Sequence, residues 1–110
     1  MVNCIFCKII AKELPAKVIA ENDTTIVIQD IAPKTPIHYL IIPKKHVADI
    51  TQLQAEDKNI AADLLFMAKH LSEQIPGAEH FRLVANNGSG AGQVVFHLHL
   101  HFLSGKTFSF

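Results

Sequence analysis

The sequence has no tryptophan, one tyrosine and only two cysteines, and its ten Lys and Arg are cancelled by ten Asp and Glu. A neutral balance, with pI near 7.1, offers nothing to attract a polyphosphate backbone, so no nucleic-acid partner is expected. No apolar run approaches the roughly 18 residues a membrane-spanning helix needs, and the start Met1-Val2-Asn3-Cys4 shows no basic segment followed by an apolar stretch of the secretory kind. The expectation is a cytoplasmic protein with no membrane partner. In a reducing compartment two cysteines make poor material for a structural disulfide. Cys4 and Cys7, spaced Cys-x-x-Cys, therefore point to a metal site or a redox pair. There is no internal repeat, and 110 residues suit one domain over 1–110 with an aliphatic and phenylalanine core.

Ile5, Phe6, Ile9 and Ile10 form a helical stripe that Pro15 has to end, which predicts a short opening helix from Cys4 to about Lys12. Val18 to Glu21 and Thr25 to Asp30 are rich in β-branched residues and flank the turn signal Asn22-Asp23, predicting a hairpin. His38 to Pro43 reads as a third strand, after a loop stiffened by Pro33 and Pro36. From Thr51, which pairs with Gln54 as a capping box, Ile60, Leu64, Met67, Leu71 and Ile75 recur at helical spacing until Pro76-Gly77. Phe81 to Ala85 and Val94 to Leu103 supply a fourth and a fifth strand around a glycine-rich loop. The class is α+β: an antiparallel sheet of about five strands, one long helix and a short N-terminal helix.

Phe96-His97-Leu98-His99-Leu100-His101-Phe102 alternates imidazoles strictly with large apolar side chains. Period two predicts a strand with His97, His99 and His101 on one face, about 7 Å apart, and the apolar residues on the core face. One histidine on a strand is usually structural; three in register are a row of bases. The loop Asn87 to Gln93, with three glycines, can turn several N–H groups toward one point, as a phosphate cradle does, although hairpin loops are also glycine-rich.

The run His97-Leu98-His99-Leu100-His101-Phe102-Leu103 resembles the signature of the histidine-triad family at every position. Asp30 through His46 resembles a second family block, and Asn86 through Gln93 the family's approach to the triad, so the likeness extends from Cys4 to about Lys106. It implies hydrolysis at the α-phosphate of a purine nucleotide conjugate, of the adenosine 5′-phosphoramidate type, through a nucleotidyl-histidine intermediate. His99 would be the nucleophile, since a neutral imidazole attacks and leaves well. By the same resemblance His101 would hydrogen-bond the phosphate or leaving group and His38 would support the triad that His97 opens. Asn86, Gly92, Gln93 and Val94 would face the phosphate. Asp30 would clamp the ribose hydroxyls, while Ile5, Phe6, Ile9, Ile28, Ile31 and Leu40 would form a slot for the base; core packing explains these apolar residues equally well.

Cys4 and Cys7 need two further ligands for a tetrahedral structural zinc, and His46 and His97 are available. Some members of the superfamily are similar here and others lack the cysteines; packing on a helix is the alternative. The ending at Phe110 is shorter than the tail of the Hint-like phosphoramidase branch, which the chain otherwise resembles, and Val94 stands where relatives often carry Ser or Thr. A homodimer through the long helix and fourth strand is also implied. Competing readings are a dinucleoside polyphosphate hydrolase, a His-x-His catalytic metal site, and a nucleotide-binding adaptor with little turnover.

Overall fold

The computed structural model describes residues 3–110. Short β-branched runs separated by side-chain-stabilised turns build its sheet. The Asn22 carboxamide oxygen accepts from the N–H groups of Thr24 (3.0 Å) and Thr25 (2.9 Å), closing the turn between β1 (Val18–Glu21) and β2 (Thr25–Gln29). β3 (Ile37–Pro43), β4 (Phe81–Val84) and β5 (Leu100–Ser104) complete a five-stranded sheet in the order β1-β2-β3-β5-β4, antiparallel at every pairing. The fold is α+β, with a short helix α1 (Ile5–Ile10) and a long helix α2 (Lys58–Gln74).

The period-two pattern of the strands divides the core between two faces. Val27, Ile41 and Phe102 pack with Leu64, Met67, Ala68 and Leu71 of α2, whereas Ile26, Ile28, Leu40 and Ile42 pack with Phe6 of α1. The register sets Leu40 opposite His101 and His38 opposite Leu103, so both histidines stand on the α1 face. No helix among the described residues is long and apolar enough to cross a membrane.

Two expectations need correction. α2 starts at Lys58, not near Thr51, and the pair Thr51 and Gln54 is not its capping box. The Asp49 carboxylate captures the Thr51 N–H (2.8 Å), making a separate 3-10 turn at Ile50–Gln52. Gln54 and Asp57 form a capping box on a second 3-10 turn, Ala55–Asp57, that leads into α2, with Asp57 buried and bonded to Lys45 (2.7 Å).

The fifth strand starts at Leu100 rather than Val94. Its ladder with β3 runs from Ile37↔Ser104 to Ile41↔Leu100; two positions further along stands Pro43, which has no N–H to donate. Upstream of Leu100 the alternation lapses: Leu98 is buried, but Phe96, expected in the core, is 52% exposed.

Candidate functional site

The triad does not form a row on one strand face. His101 lies in β5, while His97 and His99 belong to the segment before it, which is held by other bonds. Leu98 N–H donates to Val47 O (2.6 Å), and the His97 ring, fully buried, is directed to the end of β3, with Nε2 2.7 Å from the Pro43 carbonyl. His97 therefore leaves the reactive face, whereas His99 and His101 remain neighbours, with ring centroids 5.1 Å apart.

The hydrogen bonds assign the protons. A carbonyl only accepts, so the His99 Nδ1 facing His97 O at 2.8 Å carries a hydrogen, and its Nε2 keeps the lone pair. Lys34 N–H donates to His38 Nδ1 (3.0 Å), which places the hydrogen of neutral His38 on Nε2. That Nε2 lies 2.9 Å from His101 Nδ1 and 3.3 Å from an Asp30 carboxylate oxygen. His101 Nδ1 is thus an acceptor and its Nε2 a donor. The neighbouring rings of His99 and His101 thus differ in their protons, one keeping a lone pair on Nε2 and the other an N–H, a pairing suited to attack on one atom with hydrogen bonding to its substituents.

Burial pushes the His101 imidazole down to about 4, with the neighbouring His99 and His38 acting in the same direction. His38 is also lowered, by burial, against a partly offsetting attraction from Asp30. An unfolded histidine titrates near 6.5, so below that pH the unfolded chain binds more protons than the folded one. Stability should therefore fall as pH drops from about 6.5 toward 4 and stay level above that window. Guanidinium midpoints across this range should show a shallower slope in His101→Gln than in wild type; equal slopes would remove His101 from the account.

Asp30 accepts Ala32 N–H (2.8 Å) with its other oxygen, at the edge of this cluster. Phe6, Ile28 and Leu40 are buried together on the α1 face, and the Phe6 ring meets His99 edge-on at 5.1 Å. Ile9 packs against them half-buried, whereas Ile5 is exposed and Ile31 wholly so. Of the residues expected to line a slot, Phe6, Ile28 and Leu40 are thus packed in the core, whereas Ile5 and Ile31 lie at the surface. Val94, 84% exposed, shares a cleft with Ile5, Val95 and Phe96 beside His46.

The glycine-rich loop differs from an open cradle. The N–H groups of Ala91, Gly92 and Gln93 bond to carbonyls of the loop itself, and Gly88 N–H donates to the Gln93 side chain (2.7 Å). Gly92 takes φ +96°, a conformation that favours glycine. The buried Gln93 amide also donates to Ala48 O (2.8 Å) and Val95 O (3.0 Å), so it clamps this loop to the segment that carries His97 and His99. Asn86 lies half-buried just after β4, and the Asn87 carboxamide oxygen accepts Ile50 N–H (2.7 Å). The Gln93 clamp was hidden in the sequence because a glutamine after glycines carries no sign of what its amide meets.

Cys4, Cys7, His46 and His97 bring their ligand atoms within 4.8 Å of one another and could hold a metal ion. Cys4 Sγ lies 3.2 Å and Cys7 Sγ 3.6 Å from His97 Nδ1, and Cys7 Sγ lies 3.3 Å from His46 Nδ1. Tetrahedral bonds of usual Zn–S and Zn–N length would set sulfur and nitrogen about 3.5 Å apart. The donor set therefore fits such an ion. Donation to Pro43 O leaves the lone pair of His97 on Nδ1, the atom facing the sulfurs. Burial, with Cys4 adding, pushes the Cys7 thiol up to about 11, the state a bound cation reverses by releasing the proton.

Residues 11–108 match the HIT domain family. A solved HIT family hydrolase from Clostridium thermocellum is 43% identical, covers 96% of this chain over 93% of its own, and superposes with a TM-score of 0.92. A histidine triad nucleotide-binding protein from Candida albicans is 34% identical, covers 96% of this chain over 76% of its own, and has a TM-score of 0.86. An uncharacterized HIT-like protein of Synechocystis is 42% identical over 107 residues, 97% of this chain and 94% of that one.

Proposed function

The chain belongs to the HIT domain family, and from that premise we propose that it hydrolyses purine nucleotide conjugates of the adenosine 5′-phosphoramidate type at the α-phosphorus. The observation that carries this reading is the proton arrangement: His99 bonds His97 O through Nδ1, so its Nε2 lone pair is free, beside a His101 held as a donor by His38.

In the first step His99 Nε2 forms a bond to phosphorus as the bond to the leaving nitrogen breaks, and that nitrogen departs as ammonia with a proton taken from solvent and returned by the water that attacks in the second step. The Nε2–H of His101 hydrogen-bonds the phosphoryl oxygens or the leaving group, where charge develops. Water then displaces the imidazole and releases the nucleoside monophosphate. Asp30 has lone pairs beyond its bond to Ala32, and a carboxylate can accept from both ribose hydroxyls. Phe6, Ile28 and Leu40 offer the base an apolar floor, with Ile5, Ile9 and Ile31 at its rim. Asn86, Gly92 and Val94 are assigned to the phosphate side; for Gln93 the side-chain bonds favour a supporting role there. Zinc suits the site of Cys4, Cys7, His46 and His97, where it would supply a structural tie between α1 and the end of β3. The same reading carries a homodimer through α2 and β4: β4 is a sheet edge, and Leu65 and Phe66 of α2 are more than 60% exposed.

The direct test is rapid quenching into alkaline denaturant during turnover of adenosine 5′-phosphoramidate, followed by mass spectrometry of peptides kept at alkaline pH, because a phosphorus–imidazole bond is lost in acid. A nucleotidyl group on His99 is the expected result. Modification of another residue, or release of product with no adduct under single-turnover conditions, would overturn the assignment.

A further inference from the structure

The imidazole assigned to attack phosphorus is not held by the sheet. Its segment, residues 94–99, precedes β5, and its anchors come from the last residue of β3 and the stretch just after it. Val47 O accepts Leu98 N–H (2.6 Å), Pro43 O accepts His97 Nε2–H (2.7 Å), and Ala48 O accepts the Gln93 amide that also holds Val95 O. The same stretch carries His46, whose ring meets that of His97 edge-on at 4.8 Å. His97 is pinned on its other edge by the sulfurs of Cys4 and Cys7.

The carbonyl that receives the His99 Nδ1 hydrogen belongs to His97 itself, and it shares one peptide plane with the Leu98 N–H bonded to Val47. One residue therefore faces the sulfur and nitrogen cluster with its side chain and sets the proton of the neighbouring imidazole with its backbone. With no cation, the His97 Nδ1 lone pair has two sulfurs beside it and can accept from only one S–H at a time; a tetrahedral cation replaces that choice with four directed bonds.

We propose that Cys4, Cys7 and His46 are positioning residues for His99: when a thiolate-binding divalent cation joins them to His97, they fix the His97 carbonyl, and through it the Nδ1–H tautomer and the aim of His99 Nε2. The catalytic part of this inference rests on the assignment of His99 as nucleophile. The cluster then does more than fasten α1 to the sheet, because a disturbance at the cysteines reaches the reactive nitrogen through one residue. A misaimed nucleophile lowers the rate of the chemical step by about 10- to 100-fold without loosening substrate binding.

The test compares zinc-loaded chain, chelator-treated chain, and His46→Gln, a change at a half-buried ligand that leaves both cysteines and His97 in place. Nitrogen-15 NMR reads the His99 tautomer, circular dichroism the fold, and steady-state kinetics with adenosine 5′-phosphoramidate the kcat and KM. The expected result is one equivalent of bound zinc, a pure Nδ1–H tautomer when loaded, and a mixed tautomer in whichever folded, cation-depleted form is observed. Its kcat should fall at least tenfold, with KM and the AMP dissociation constant within about twofold. Failure of the folded wild type to take up zinc would overturn the proposal. So would an unchanged His99 tautomer and kcat in a folded, cation-depleted form, or global unfolding of both depleted forms, which would make the cation a fastening of the whole fold. If loaded wild type binds AMP but never turns over the phosphoramidate, the hydrolase reading fails, while the tautomer comparison still decides the positioning of His99.

Discussion

His99→Ala is expected to lower kcat/KM for adenosine 5′-phosphoramidate by about 10⁵-fold or more, the scale on which removal of a covalent nucleophile acts. Among the described residues the side chain makes one hydrogen bond, to His97 O, and ring contacts with Phe6 and His101, so its removal leaves the sheet ladder and both core clusters intact. AMP should still bind, because Asp30 and the apolar floor are untouched. His101→Ala serves as the graded comparison: it deletes a donor and not the attacking atom, and a loss of about 10²- to 10⁴-fold is expected. Rates of the two variants, with AMP affinity as the control for a formed site, provide the check. A His99→Ala protein that retains more than about a hundredth of wild-type kcat/KM would leave the nucleophile unassigned.

The largest expected effect on stability is at Phe102. It is fully buried at the middle of β5, paired with Tyr39 on one side and Leu83 on the other, and its ring stacks on Phe81 at a centroid distance of 4.7 Å. On the same face it packs with the α2 residues Leu64, Met67, Ala68 and Leu71. Phe102→Ala leaves a cavity bounded by strands on both sides and a long helix above, which can collapse little. The expected cost is about 3–5 kcal/mol, a large part of what holds a domain of this size together, and a melting temperature lower by roughly 15–25 °C. Guanidinium unfolding should show the midpoint falling with little change in slope. A loss below about 1 kcal/mol would mean that the ring is not packed between sheet and helix. His101, the preceding residue, points to the opposite face, so native protein that survives the substitution should keep its affinity for AMP.

How much of the architecture was legible follows from which forces are local. The β1 to β2 hairpin was visible because Asn22 closes its turn with bonds to residues two and three positions ahead. The run from Ile60 to Ile75 signalled α2 because helical spacing gathers its apolar stripe without reference to any other element. Its start was misplaced because Asp49 and Thr51 form a local turn that looks the same in sequence as a helix cap. The fifth strand was extended too far upstream for a related reason: alternation of side chains reports pattern, whereas a strand also needs a partner, and Pro43 has no N–H for that ladder.

The site divides along the same line. The sequence by itself determined which chemistry is on hand: imidazoles at alternate positions, a Cys-x-x-Cys pair, a carboxylate ahead of a stiff loop, and the family to which these belong. Only the tertiary structure decided how the histidines are shared out. It turned His97 toward the two sulfurs and kept His99 and His101 together on the α1 face, with His38 behind them. The physical reason is that an imidazole's role depends on where its proton sits. That is set by acceptors and donors at Pro43, Lys34 and the cysteines, remote from the triad in sequence and adjacent to it only after the sheet has formed.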